Sequence, residues 1–492
     1  MKQTIATDSL KLSISKIITT TISLVTAMLL SRFRTLEEYG TYSQLLIVIN
    51  LITTVILMGL PNSANYFLVR AETQEDKRHF LSVYLSVSTL LSIMSGLVLI
   101  LSTPLIVSYF KNPLLESFWY FLAVIPWTVI ILTGIENVLV VYKRTSLLMV
   151  FRVLVSVGVI MSIVIVKILG LTFTDFMIIY TGTQALFALS VYFIIKGVAG
   201  RIRIVFDWPY IKKILAFSIP VGLASAVGLL SVQLDKLVVG RMYTVDQLAI
   251  YANAAKELPV TMFATSLTAV LMPQLVLLLK AGRYKQAVSL WGNGVSLSYL
   301  IICFFAASFF VFAPEVITVL YSDKYIAGVD VFRVYCLVLL LRCTYFGIIL
   351  NSLGKTRFIL YSSMASLVLN MILSYLFYLI FGFIGPAIAA FVSILTIALV
   401  QIRWTSKSIG IPIRKIFLWK DMGVATTVCI ATGIIFMLIK QVVPLEVYVG
   451  EILESVILAM IWMVIYILIM FKYIKKKWQS LNSPSYDLEL EE

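Results

Sequence analysis

Apolar runs of about 20 residues, the length that spans a hydrocarbon core, recur fourteen times between Lys11 and Phe471, separated by short polar or charged breaks. Breaks placed by charge, turn residues and aromatic belts give spans near 12–31, 40–69, 80–109, 117–141, 147–169, 173–195, 214–240, 246–279, 286–312, 328–352, 358–381, 384–402, 421–439 and 447–471. The pattern predicts an all-α integral membrane protein of 14 transmembrane helices.

The basic residues follow this alternation. The connections on the side that holds both termini collect about two thirds of the 39 Lys and Arg, whereas the other side has only Arg32, Arg34, Lys111, Lys167, Arg241, Lys324 and Lys440. By the positive-inside rule both termini are expected in the cytoplasm. With 61% hydrophobic and 13% charged residues, the membrane accounts for nearly all of the 492 residues, which leaves no room for a soluble domain. The +15 formal charge lies scattered through short loops rather than gathered on one arm or helix, so anionic lipid head groups explain it better than nucleic acid. Trp119, Trp208, Trp404, Trp419 and Trp478 fall at expected span ends. Cys303, Cys336, Cys343 and Cys429 lie within spans, without CxxC spacing or an exported disulfide pattern. The single histidine, His79, sits in a charged loop and reads as a solvated side chain rather than a ligand or base. The N-terminus lacks the short apolar core and cleavage site of a removable signal, so the first span is expected to stay.

Two echoes indicate an internal repeat. Ser31 to Tyr42 and Gly240 to Tyr251 align an arginine, a threonine, an acid and a tyrosine at an offset of 209. Lys143-Arg144-Thr145 matches Gly354-Lys355-Thr356, each followed by a glycine at a span end, Gly170 and Gly382. An offset of six spans gives two halves of the same orientation, related by an axis along the membrane normal. The division expected is an N-terminal bundle over 1–196 (helices 1–6), a cytoplasmic linker over 197–213, a C-terminal bundle over 214–403 (helices 7–12), and helices 13–14 with a tail over 404–492. Paired bundles suit alternating access, and Pro61, Pro126, Pro220, Pro259, Pro273 and Pro386 inside spans agree with helices that kink.

A charge at membrane depth costs about 3 kcal/mol or more, so each one inside a span faces a cavity or a partner. The cations there are Lys16, Arg152, Lys236, Lys256, Arg333 and Arg342; the anions are Glu136, Asp235 and Glu257, which leaves a positive surplus. Lys16 heads a stripe with Thr19, Thr20, Ser23 and Ala27 on one helix face, a candidate cavity wall, although its depth also allows the ammonium to snorkel to head groups. Glu136 and Arg152 lie eight residues either side of the hairpin centre at Arg144, hence at one depth, and read as a salt bridge. Asp235 and Lys236 face a second group, Asn253, Lys256 and Glu257, expected on one helix face; this cluster is either a static pin or an ion-coupling site. Arg333 lies near a span end and can snorkel, whereas Arg342 is mid-span with no acid nearby in sequence, the cation most expected in a central cavity.

No catalytic or metal-binding motif accompanies these charges. Gly354-Lys355-Thr356 looks like the end of a phosphate loop, but Ile349 stands where its first glycine belongs. HExxH and nucleophile-elbow patterns are missing, and the longest outward loop, 313–327, is too short for a catalytic domain. An ATP-driven pump and a membrane polymerase are thereby disfavoured.

The turn Thr35 to Ser43, with Gly59-Leu60-Pro61-Asn62-Ser63, Asp235-Lys236 followed by Gly240-Arg241, Tyr321-Ser322-Asp323-Lys324-Tyr325 and Gly354-Lys355-Thr356-Arg357, resembles the polysaccharide repeat-unit (O-antigen and capsule) flippases of the multidrug/oligosaccharidyl-lipid/polysaccharide exporter superfamily. The likeness covers roughly residues 10 to 470. It implies a flippase, not an enzyme, that moves an undecaprenyl-pyrophosphate-linked oligosaccharide to the outer leaflet of a bacterial plasma membrane, with Lys16, Asn62, Lys236, Lys256 and Arg342 lining a cationic substrate cavity. Glu136, Arg152, Asp235 and Glu257 would then serve as structural pairs or ion-coupling groups. Expected partners are the lipid-linked substrate, membrane lipids, and a polysaccharide polymerase with its chain-length machinery; a monomer without nucleic acid, metal or cofactor is expected, with H+ or Na+ as coupling ion. A cation-coupled multidrug exporter of the same superfamily and, from another class, a membrane glycosyltransferase or polymerase remain the alternatives.

Overall fold

A computed structural model describes residues 5–442 and 450–481. The start of the last expected span at 447–449, residues 1–4 and the tail 482–492 lie outside the described residues. In chain order the α-helices are α1 Ile5–Phe33, α2 Leu36–Leu57, α3 Leu60–Arg70, α4 Gln74–Leu101, α5 Thr103–Phe110, α6 Trp119–Val141, α7 Thr145–Ile168, α8 Phe173–Ala199, α9 Trp208–Met242, α10 Val245–Ala254, α11 Met262–Lys280, α12 Tyr284–Val311, α13 Ala313–Tyr321, α14 Val329–Leu341, α15 Ile348–Ser352, α16 Thr356–Phe381, α17 Gly385–Ile409, α18 Trp419–Val442 and α19 Glu451–Leu481. The rest of the described chain is turns and 3-10 segments, with no strand. The fold is all-α.

The sequence repeat has a local cause. Thr35 and Glu38 form a reciprocal capping box at the start of α2, and Thr244 and Gln247 do the same before α10, with the Thr244 amide donating to Gln247 Oε1 at 3.1 Å and the Gln247 amide to Thr244 Oγ1 at 3.3 Å. Both boxes satisfy amides that the first helical turn leaves without partners. The second echo is a pair of like turns: φ is positive at Lys143 before α7 and at Gly354 before α16, and again at Gly170 and Gly382. A third correspondence is structural only. Short helices α5 and α13 each run into a 3-10 turn, Pro113–Phe118 and Asp323–Gly328, and then into α6 and α14.

Contacts divide the chain into one unit of Met1–Ala249 and a second of Ile250–Glu492. In the first, α4 packs on α6, α6 on α8, and α1 along α7. Its core includes Leu60, Phe80, Leu81, Ile135, Leu139, Leu148 and Val191. Helix α9 packs on α2 and α3, inside this unit, although the sequence division places it at the head of the second bundle. Residues 200–207 run extended along α4 rather than as a loose linker: the amides of Arg203 and Val205 donate to Ser82 Oγ and Ser86 Oγ, and Arg78 Nε donates to the Ala199 carbonyl at 2.8 Å. In the second unit α16 and α17 form a close pair, and α12 carries α11, α14, α18 and α19. Trp462 of α19 is fully buried against Phe304, Phe312 and Phe436, and its indole donates to Thr432.

By length and composition, eleven helical segments among the described residues can cross a membrane, or twelve if the two arms of α9, bent by 45° beyond Pro220, count as one. The expected fourteen differ where tertiary structure interrupts or joins apolar runs. Residues 356–409 register as one segment although α16 and α17 are separate helices either side of a tight turn. The run 328–352 is split at Arg342 to Gly347 and drops out of the eleven, whereas the runs 40–69 and 246–279, although broken at Met58-Gly59 and at Ala255 to Leu258, each still contribute one segment. The protein is a multi-pass membrane protein.

Candidate functional site

The two broken spans of the second unit meet in a charged cluster. Pro259 excludes the helical conformation for Leu258, which is extended at φ −79° and ψ 153°, so α10 stops at Ala254 and Lys256 and Glu257 fall in the gap before α11. They do not extend the helix face of Asn253 as expected, because no helix is there. On the other side α14 ends at Leu341 and Arg342 caps it. Its guanidinium sits at the partly negative end of the helix, while Glu257 lies just before the N-terminal end of the next segment, the end that favours an anion.

Arg342 Nη2 and Glu257 Oε1 are 2.7 Å apart, with about a third of each side chain exposed. Arg342 therefore has an acid partner, 85 positions away, where sequence neighbours showed none. Arg342 Nε is buried and makes no hydrogen bond. A cavity of about 20 Å³ lies beside the pair, walled by Lys256, Phe309, Phe332, Tyr335 and Leu339. The Arg342 guanidinium has donors beyond those Glu257 uses. Such an arrangement can receive an anionic oxygen through a charge-assisted hydrogen bond.

The first unit joins its charges differently. Arg152 Nη2 pairs with Glu136 Oε2 between the unbroken helices α6 and α7. Next to it, Asn137 Nδ2 donates to the Pro61 carbonyl at 2.7 Å and so ties α6 to the break before α3. Asn137 was missed from sequence; its signal is the polar doublet Glu136-Asn137 in an apolar run. Asn62 is exposed on the first turn of α3, and its amide donates to the Gly59 carbonyl.

Of the remaining expected residues, Lys16 is exposed in the first half of α1, and along its stripe Ser23 is exposed while Ala27 is buried. Asp235 and Lys236 belong to the first unit, Lys256 and Glu257 to the second. Asp235 is buried, whereas half-buried Lys236 directs its ammonium at the Val232 carbonyl, 3.5 Å away. Arg333 pairs with Asp330 at 3.2 Å and lies over the Phe310 ring. Two further pairs hold the C-terminal helices within their unit: Lys440 of α18 with Glu315, and Lys477 of α19 with Asp421. Among the described residues no group of three or more His, Cys, Asp or Glu is placed to hold a metal ion.

A family model described as "Polysaccharide biosynthesis protein" matches residues 29–330. The chain belongs to this family. The matched region holds the Glu136–Arg152 pair and Glu257, and ends just short of Arg342. No curated protein sequence matches the chain. Among solved structures it is similar to the lipid II flippase MurJ in an inward closed conformation, at 15% identity and a TM-score of 0.75 over 93% of this chain and 99% of that one. It is also similar to a multidrug resistance MATE transporter of the MOP superfamily, inward-facing, at 16% identity and 0.63 over 81% and 97%. A MOP superfamily transporter from Pyrococcus furiosus, described as having a binding pocket of reverse polarity, matches at 17% identity and 0.56 over 82% and 96%. These structures are transporters and flippases rather than enzymes, and the chain shares their fold.

The family-like stretches are mostly conformational. Tyr321 and Tyr325 are fully buried with ring centroids 5.8 Å apart around Ser322, whose φ is 89°. Gly59-Leu60-Pro61 is the break that opens α3, and Gly354-Lys355-Thr356 is the turn before α16.

Proposed function

We propose that this protein is a flippase that carries an undecaprenyl-pyrophosphate-linked oligosaccharide repeat unit from the inner to the outer leaflet, by alternating access, for assembly of a surface polysaccharide. The observation that carries this reading is Arg342, held in the helix break after α14 beside Glu257 and Lys256 with its Nε unsatisfied. A pyrophosphate that leaves water needs cationic donors, and a guanidinium that already has one carboxylate partner can exchange it for the ligand. The family description and the fold shared with a lipid II flippase support a lipid-linked glycan as cargo.

In this reading the membrane is the bacterial plasma membrane; the distribution of Lys and Arg supports both termini in the cytoplasm. A proton or sodium ion at Asp235 or Glu257 supplies the coupling, by changing which cation each carboxylate pairs with. The test is leaflet exchange of a fluorescent lipid-linked sugar in proteoliposomes. Movement of the sugar lipid without chemical change supports the flippase. Cation efflux without sugar movement supports the drug-exporting alternative, and chain elongation supports the polymerase.

A further inference from the structure

We propose that the first unit holds a resident anionic phospholipid, with an alkyl chain in a groove between α4, α8 and the extended segment 200–207 and its phosphate at Lys196 and Arg203. The groove encloses about 470 Å³ and has no acidic residue in its wall. Its rim is apolar and open: Ile204 is 85% exposed and Phe193 72%, with Phe206 and Leu90 alongside.

The floor is already satisfied. Thr89 Oγ1 and Tyr192 OH are 2.7 Å apart, and Trp127 donates its indole N–H to the same Tyr192 at 3.1 Å. A polar occupant would find no unmet partner there, so the groove suits a hydrocarbon chain. The outer wall is fixed as well, since Ser82 and Ser86 of α4 accept the amides of Arg203 and Val205.

Charge selects the head group. Among the described residues the side chains of Lys196 and Arg203 have neither an ion-pair nor a hydrogen-bond partner, and both are exposed at the basic end of the groove. Two unopposed cations beside an apolar trough complement a phosphate with net negative charge. A lipid in this position would also brace segment 200–207 against α4.

The test releases the full chain from nanodiscs of equal phosphatidylglycerol and phosphatidylcholine and counts retained lipids by native mass spectrometry. The parent should retain phosphatidylglycerol about tenfold over phosphatidylcholine. Lys196→Gln with Arg203→Gln should bring the two to parity, whereas the same changes at Lys475 and Lys476 should leave the preference in place. Leu90→Trp, which fills the groove and keeps both cations, should lower retention of either lipid. The parent measurement needs no variant, so a misfolded double variant does not remove the test. No preference in the parent, an unchanged preference in the folded double variant, or complete displacement by undecaprenyl phosphate each overturns the proposal.

Discussion

The two units treat their broken spans in opposite ways. In the first unit the break at Met58-Gly59 is closed by backbone: a Cβ on Gly222 of α9 would lie 2.1 Å from the Met58 carbonyl carbon, and one on Gly59 would lie 2.6 Å from the Ser218 carbonyl oxygen. Its ion pair, Glu136–Arg152, joins two unbroken helices. In the second unit the breaks at Ala255 to Leu258 and after Leu341 are filled by charge, and the ion pair itself spans the two gaps. A close-packed break has one arrangement, because backbone atoms in contact cannot be displaced cheaply. A break closed by Glu257 and Arg342 can open when either finds another partner. Under the proposed function, the first unit serves as a scaffold and the second as the site.

Substitutions sharpen or break this contrast, and the largest effect is expected at the charged gap. Arg342→Ala should reduce sugar-lipid translocation to background with expression unchanged, and Arg342→Lys should retain part of it, since an ammonium lacks the planar fork. Full translocation by Arg342→Ala would falsify the assignment of the second unit as the site.

Gly222→Ala comes next. Its methyl meets the Met58 backbone, and overpacking of this kind costs about 1–3 kcal/mol. The thermal midpoint should fall by several degrees, more than for Ala substituted at exposed Gly197 or Gly228, where a Cβ meets nothing. Equal midpoints for all three would show that the first break is not held by close packing.

A smaller change is expected from Asp235→Asn, which preserves shape and removes the titrating group. Translocation should persist but stop responding to an imposed pH or sodium gradient. A response like the parent's to both gradients leaves buried Asp235 as a helix-packing residue and moves the coupling question to Glu257.

The smallest effect belongs to the Glu136–Arg152 pair. With 25% and 44% of the two side chains exposed, removing either partner should cost only about 1 kcal/mol. Glu136→Arg with Arg152→Glu should recover most of that loss in thermal stability. If the reversed pair is no more stable than the weaker single variant, the pair contributes nothing as a pin.

Local features of both units were legible in the sequence. The threonine-led turns recurred because a capping box needs Thr and Glu or Gln three residues apart, and the second repeat because its turns need a positive φ. The Glu136 and Arg152 partners were readable because a hairpin sets equal depths on its two arms. The helix breaks were not. Pro259 was visible but read as a kink, and only the packing around it decides whether a proline bends a span or ends it. Nothing near Arg342 forbids helix except Gly347, so the gap after α14 had no comparable signal.

By itself the sequence determined that this chain lies in a membrane, that it repeats, and that cations outnumber anions at depth, because each of these follows from residue type and short-range spacing. For charges on spans that no hairpin links, tertiary structure alone decided which meet. Glu257 and Arg342 are joined through the packing of several helices around two gaps, and depth within a span carries no information about rotation or about where a helix stops.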